Sequence, residues 1–496
     1  MIYESHSQGE RENLRSMAQR AYIDFFLQLS APGGADEFCR AEVLPSPAVG
    51  ESTRPAVVSA AAAPLADFLD DLKNKRILPR DLAAFGRQLA GCLLPEGEVR
   101  DLFRAARERA GYDGGVRLRL VISEPGLRTW PWEFAYLDRA GVAQTSLEGF
   151  LALDPRVSFV RHDPLPLAHP RIQPVEGGLA NLRMLVAAAQ PASQPSLRLE
   201  REIDLLQKAL GGFEVDGLKL SLDPLRMHAT PARLEADLRE AQSIYLFHYS
   251  GHGMSGPAVS DAFSKGGKVR TGMLLLESEG GSQGEARLQA GELARWLLRA
   301  GVRLAFLNAC QSGERQAEYP WAGVAGALVA QGVPAVVAMQ HPVEDSTAVA
   351  FSQAFYTALF SGLSLDEAFS IGRLAMVRPL DQPFFAEWGV PVLYTRLENG
   401  RLFPEREAAQ TPTAQVFRKT VELQVASIEK GGSLVGVDVQ RLASGVKVSA
   451  RLKNVEGSAT LADIRTVDVD ASLNINAEIE RISPGGQVTG LKTDVL

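Results

Sequence analysis

The stretches IYLFHYSGHG (residues 244–253) and LAFLNACQSG (residues 304–313) decide how this chain folds. Each opens with a short apolar run rich in strand formers and closes in glycine and small polar residues, so each reads as a buried strand running into a turn. The pattern recurs around them. LRMLVAAA (182–189), GMLLLES (272–278), VPAVVAMQ (333–340) and GVPVLYTRL (389–397) read as further strands. Helical spacing appears in LEREIDLLQKAL (199–210), in a segment capped by Thr230 and opened by Pro231, and in ARLQAGELARWLLRAG (286–301). It continues in WAGVAGALVAQG (321–332), STAVAFSQAFYTALFSG (346–362) and SLDEAFSIGRLAMV (364–377). Apolar strands separated by helices imply an α/β domain, a mostly parallel sheet covered on both faces, over residues 181–398.

In such a sheet, chemistry collects at the carboxyl ends of the strands. His252 follows the first run and Cys310 ends the second, 58 residues later, each among glycine or small neighbours. A thiol attacks a carbonyl when deprotonated, and a nearby imidazole takes that proton and later returns it to a leaving amine. His252 is therefore the candidate general base and Cys310 the candidate nucleophile. The backbone amides of Gly253 and Cys310 are the candidate oxyanion donors. His248, four residues before His252, reads as a packing residue on an opposite or offset face of a strand that ends before His252. A zinc site built from His248, His252 and Cys310 lacks the internal glutamate of the helical H-E-x-x-H pattern and a helical context. No Walker A sequence occurs, and no metal, nucleotide or other cofactor is expected.

Towards the amino terminus, residues 1–20 are polar and AYIDFFLQLS from Ala21 reads as a strand. Residues 44–64 read as a loop and residues 65–109 as helical. Cys39 and Cys92 fall here as packing residues. VRLRLVI (116–122) alternates as a half-buried strand does, and Trp130, Trp132 and Phe134 read as core. Residues 21–180 thus form an α/β extension. After a linker at 399–414 the period becomes two, and 415–496 reads as an all-β module. There, VASIEKGGSLVGV (425–437) matches IERISPGGQVTGL (479–491) at an offset of 54 residues. Two copies alone do not establish a solenoid.

A net charge of −7 offers no basic footprint, which argues against direct nucleic-acid binding. Three scattered cysteines form no disulfide framework. The opening MIYESHSQGERENL lacks the features of a secretion signal and no run approaches 18 apolar residues, so a cytoplasmic chain without stable membrane insertion is expected.

The turns Gly251-His252-Gly253 and Leu307-Asn308-Ala309-Cys310-Gln311-Ser312-Gly313 resemble the dyad motifs of the CHAT family, a branch of the caspase and separase fold. VRLRLVISEPGLRTWPWEFAYL (116–137), with Pro131-Trp132-Glu133, resembles the family's amino-terminal strand and P-W-E motif. GVAGALVAQGVPAVVAMQHPVED (323–345) and EWGVPVLYTR (387–396) resemble the segment after the cysteine and the closing strand. The resemblance spans about 20–398 and leaves out the β module. It implies a caspase-like cysteine endopeptidase with a His252/Cys310 dyad, cutting a protein partner. It further implies a role in bacterial defence or programmed cell death, with a pore-forming or other effector as substrate. His341 stands where the family often has tryptophan, at the expected rim of the substrate groove. His341, Glu344, Asp345 and Asp261 are candidate pocket residues, a carboxylate there favouring Arg or Lys; Asp345 reads more readily as the cap of the helix that follows. The β module is a candidate contact for a regulatory protein or a second copy. The alternative is a silent scaffold that kept the fold for binding.

Overall fold

A computed structural model of the chain describes residues 20–31, 38–59, 67–122 (save 69, 73 and 75), 124–138, 143, 146–162, 181–210 (save 195) and 214–240 (save 216 and 217). It also describes 244–260, 268–309 (save 282 and 283), 320–378 (save 342), 385–403, and the strands between 419 and 493. The chain divides into two compact units, Met1–Pro404 and Glu405–Leu496.

The described strands of the first unit join one sheet. In chain order they are β1 (Tyr22–Ser30), β2 (Phe38–Val43), β3 (Ala56–Ser59), β4 (Gly115–Ile122), β5 (Val157–Arg161), β6 (Asn181–Ala188), β7 (Glu214–Val215) and β8 (Leu218–Ser221). Then follow β9 (Leu225–Arg226), β10 (Ile244–Ser260), β11 (Lys268–Glu277), β12 (Glu285–Gln289), β13 (Leu304–Ala309), β14 (Ala335–Met339) and β15 (Pro391–Thr395). The spatial order is β3, β2, β1, β4, β5, β15, β14, β13, β10, β6, β8, β7, with β9 on β6 and with β11 and β12 continuing from β10. Its centre is mostly parallel, as the apolar runs predict, with β15 antiparallel to β14. Strands β5, β14 and β15 are buried along their whole length.

The larger helices are α1 (Pro79–Leu93), α2 (Glu98–Ala110), α3 (Leu199–Leu210), α4 (Pro231–Glu240), α5 (Ala290–Ala300), α6 (Pro320–Ala330), α7 (Asp345–Phe360) and α8 (Leu365–Ala375). Helix α3 packs on α7, and α5 packs on α4 and α6. Local chemistry sets several ends. Thr230 accepts the Arg233 amide at 3.4 Å, and Gly301 closes α5 at φ +85°.

Four readings need correction. The GHGMSG segment is not a turn, because β10 continues through it to Ser260: it leaves β13 after Gly251 and pairs antiparallel with β11 from His252. Pairing with β13 as far as Gly251 and with β11 from His252 keeps this backbone extended. Residues 286–289, read as the start of a helix, lie in β12, paired with β11. The expected loop at 44–64 includes β3, which pairs with β2. Finally, β4 is buried on both faces rather than half-buried. Arg117 and Arg119 alternate with its apolar residues, but they face buried Asp366, half-buried Asp24 and backbone carbonyls rather than water.

In the second unit, β16 (Lys419–Ile428), β19 (Val446–Val455) and β21 (Leu473–Ile482) pair in parallel. Lys419 meets Val446 and Val446 meets Leu473, a step of 27 residues each time. On a second sheet, β17 (Ser433–Val435) and β18 (Asp438–Leu442) pair in parallel with β20 (Ser458–Val467), and β20 with β22 (Gln487–Thr493). The 54-residue repeat is therefore two coils of a parallel array. The middle copy is hard to see in the sequence because only two residues, 456–457, separate β19 from β20, against four between β16 and β17 and four between β21 and β22.

Acid sensitivity follows from the buried carboxylates. Burial raises the Asp154 carboxyl, but hydrogen bonds from Arg156 and the charges of Arg107 and Arg156 outweigh it and hold the group down at about 2. A folded pKa below the ordinary 3.8 contributes stability that is complete above about pH 4 and disappears as pH falls through about 2. Thermal melts between pH 5 and pH 2 are expected to fall steeply, and Asp154→Asn to flatten part of that fall. An unchanged profile in the variant would remove Asp154 from the account.

Candidate functional site

The site forms where β10 and β13 end their shared ladder. Leu246 through Gly251 pair in register with Leu304 through Ala309. The next residues along the chain are His252 and Cys310. His252 is described and buried, at 1% exposure, on the part of β10 that pairs with β11 opposite Leu275. Cys310 lies outside the described residues, as does Asp261. Gly253 pairs with Leu274 and is half-buried.

Gly251 is required by close approach. A Cβ there would lie 2.5 Å from the Tyr249 hydroxyl and 2.9 Å from the Ala189 carbonyl oxygen. That hydroxyl donates to the Leu275 carbonyl at 2.8 Å and the His252 carbonyl at 3.2 Å. Tyr249 thereby pins the backbone at the point where β10 changes partners.

Beneath the strand ends is a polar cluster within the apolar core. Ser250 and Asn308 are directly paired across the ladder. Both donate to one oxygen of Glu202 on α3, Ser250 Oγ at 2.6 Å and Asn308 Nδ2 at 2.6 Å. His248 Nε2 lies 3.2 Å from Ser250 Oγ and 3.7 Å from the Glu202 carboxylate, while its Nδ1 lies 3.1 Å from the Tyr356 hydroxyl on α7. Burial raises the Glu202 carboxyl, but His248, Ser250 and Asn308 together hold it below the ordinary carboxylate range. Burial pushes the Tyr356 phenol well up. Asn308 Oδ1 is buried with no hydrogen-bond partner among the described residues.

His248 is thus a packing residue, stacked on Phe306 with ring centroids 4.8 Å apart. It is not on an opposite face of a strand that stops: it bonds Ser250, two positions on, and alternation along β10 returns His252 to the same side. Glu202 was not anticipated, although a signal existed. In LEREIDLLQKAL it sits three residues after Leu199 and four before Leu206, a charge inside the apolar stripe.

The other candidates are arranged differently. His341 is 5% exposed, inside the packing rather than at an open rim. The Glu344 carboxylate bonds the Ser346 hydroxyl and Arg378 Nη2, the latter at 3.0 Å, and its amide donates to Glu387 Oε1 at 2.9 Å. Burial raises that carboxyl, but Ser346 and Arg378 lower it overall. Asp345 is the first residue of α7, its side chain outside the described set. Cys39 Sγ contacts the Cys92 carbonyl at 4.0 Å in a fully buried setting, consistent with packing. Trp130, Trp132 and Phe134 are core, with Trp132 Nε1 donating to the Leu127 carbonyl. Among the described residues there is no group of three metal-ligating side chains and no helix long and apolar enough to cross a membrane.

A mostly parallel sheet flanked by helices, with the end of the β10–β13 ladder at its centre, defines an α/β protein. The family described as the CHAT domain matches residues 83–396, and the chain belongs to that family. Solved structures similar to it include the Saccharomyces cerevisiae separase–securin complex, at 17% identity over 69% of this chain and 20% of that one, TM-score 0.30. Another determination of that complex gives 12% identity over 78% and 31%, TM-score 0.38. The Arg-specific cysteine proteinase gingipain R gives 12% identity over 68% and 76%, TM-score 0.35. The chain thus spans a fifth to a third of the separase chains. No curated protein sequence gives a significant match.

Proposed function

We propose that this protein is a cysteine endopeptidase in which His252 is the general base and Cys310 the nucleophile. One observation carries the reading: the in-register pairing of Gly251 with Ala309, which the two residues directly follow. The Cys310 thiol gives its proton to His252 and its sulfur bonds the scissile carbonyl carbon. The amides of Gly253 and Cys310 receive the oxyanion. Collapse of that intermediate breaks the C–N bond, with the proton passing from His252 to the amine. Water then hydrolyses the thioester and restores the thiol.

The substrate is a protein partner, and the family resemblance favours a pore-forming or other effector in bacterial defence or programmed cell death. The proposed setting is the cytoplasm, with no cofactor. Residues 415–496 form the proposed contact for a regulatory protein or a second copy, the parallel sheets offering strand edges. The proposed organisation is catalytic core 181–398, extension 21–180 and linker 399–414. Asp261 and Asp345 remain the proposed pocket acids; Glu344 already pairs with Arg378.

The test combines peptides ending in Arg, Lys, Asp, Leu or Met with covalent labelling of intact protein, for wild type and Cys310→Ala. Cleavage and a single label in wild type, both lost in the variant, are expected. Equal behaviour of the two proteins would sink the assignment and leave the silent-scaffold reading.

A further inference from the structure

We propose that Glu202 is a positioning residue that ties β10 to β13 beneath the dyad, where their shared ladder ends. The proposal rests on the dyad reading above and extends it to a third residue, which touches no substrate. The geometry is specific. One carboxylate oxygen accepts from Ser250 on β10 and from Asn308 on β13, each at 2.6 Å, and those two residues are a cross-strand pair. Each stands two positions before its member of the dyad. Short hydrogen bonds to a carboxylate are stronger than neutral ones, so the clamp is stiff where the ladder is about to end.

A purely structural account of Glu202 is weak. A carboxylate at 5% exposure costs more to bury than an apolar residue at the same place on the α3 stripe, and holding α3 against the sheet needs no charge. Leu199, Ile203, Leu206 and Leu210 already bury that stripe. Asn308 also leaves its Oδ1 without a partner among the described residues while its Nδ2 serves Glu202. A buried amide held half-satisfied marks a position chosen for the bond it does make. The far side of the clamp is braced as well, since His248 links Ser250 to Tyr356 on α7. Helices from two places in the chain thus converge on one pair of backbone positions.

The experiment uses the full chain in wild-type, Glu202→Gln, Glu202→Ala, Cys310→Ala and His252→Ala forms, with the best peptide of the panel. Gln keeps an acceptor oxygen for Ser250 and Asn308, whereas Ala removes it. Glu202→Ala is expected to lower kcat by about 100-fold, the scale on which small misplacement of reacting groups acts. Its KM stays within about twofold, because uniform binding is untouched. Glu202→Gln is expected to recover to within about tenfold of wild type, since the geometry is retained and only the charge is lost.

A second readout needs no catalysis. Hydrogen exchange at the amides of Ser250–His252 and Leu307–Ala309 is expected to rise in Glu202→Ala within the Cys310→Ala background, and to stay low with Gln. Wild-type kcat in Glu202→Ala, or equal losses for Gln and Ala, overturns the proposal, and so does unchanged exchange. If Cys310→Ala and His252→Ala keep full activity, it is the dyad reading that fails, and the catalytic role of Glu202 fails with it. The exchange measurement then still reports whether the clamp exists.

Discussion

His252→Ala is expected to lower kcat/KM by about 10²–10⁴, the contribution of a positioned acid–base group, and to alter the pH dependence in a diagnostic way. Without an imidazole beside it, a thiol ionises near its ordinary pKa of about 8.5, so only a few per cent is thiolate at neutral pH. Alkylation of Cys310 should therefore be slow at pH 7 in the variant and recover as pH rises through about 8.5. Peptide cleavage should not recover with it. The leaving amine still lacks its proton donor, so acylation stays slow even when the thiolate is abundant. Intact-protein mass spectrometry follows the first process and peptide turnover the second. Labelling and cleavage that both match wild type would remove His252 from the chemistry.

Asp366→Ala is expected to produce the largest loss of stability in the first unit. The Asp366 carboxylate, fully buried on α8, accepts from Arg117 Nε at 2.8 Å and Nη2 at 2.6 Å, and from Ser158 Oγ at 2.6 Å. Arg117 also donates to Asp24 at 3.0 Å and to the Glu398 carbonyl at 2.8 Å. Arg119 donates to the same Asp24 at 2.7 Å and to the Leu397 carbonyl at 2.6 Å. Two cations and two anions thus join β1, β4, β5, α8 and the segment after β15. Burial raises the Asp366 carboxyl, but Arg117 outweighs it and holds the group below its ordinary range.

Removing Asp366 leaves two buried cations on one carboxylate, that of Asp24, and breaking a buried pair costs about 3–5 kcal/mol. Asp366→Asn keeps an acceptor oxygen but leaves Arg117 and Arg119 to share the single carboxylate of Asp24, so a somewhat smaller loss is expected. All five tryptophans lie in the first unit, so denaturation followed by tryptophan fluorescence reads this unit without the β coils. A shift below about 1 kcal/mol, the range of an exposed pair, would show that the cluster does not brace the sheet.

Much of the first unit was legible because its determinants are local. The apolar runs at 182–189, 244–250, 304–309 and 335–339 became central strands, and Thr230 with Pro231 opened α4. Misreadings arose where pairing overrides local preference. GHGMSG has turn composition, yet β11 supplies a ladder that keeps it extended. The polar positions of VRLRLVI predict a wet face, yet acids from distant segments make that face dry. The pocket candidates were placed by resemblance to a rim, and burial of His341 and the Glu344 to Arg378 pair came from packing no local pattern encodes. Spacing alone revealed the 54-residue repeat, but the shorter interval between β19 and β20 concealed the 27-residue step.

By itself the sequence determined the α/β class, the all-β ending, and the two apolar strand runs that lead to His252 and Cys310. Hydrophobic period, glycine punctuation and residue chemistry are properties of contiguous residues. Only the tertiary structure decided that Ser250 pairs with Asn308 over Glu202, that β10 changes partners at Gly251, and that Arg117 and Arg119 point into the protein. Those facts depend on which strands become neighbours. A charge in an apolar stripe is legible as an oddity in one segment, but its partner becomes visible only when chain 106 residues away folds against it.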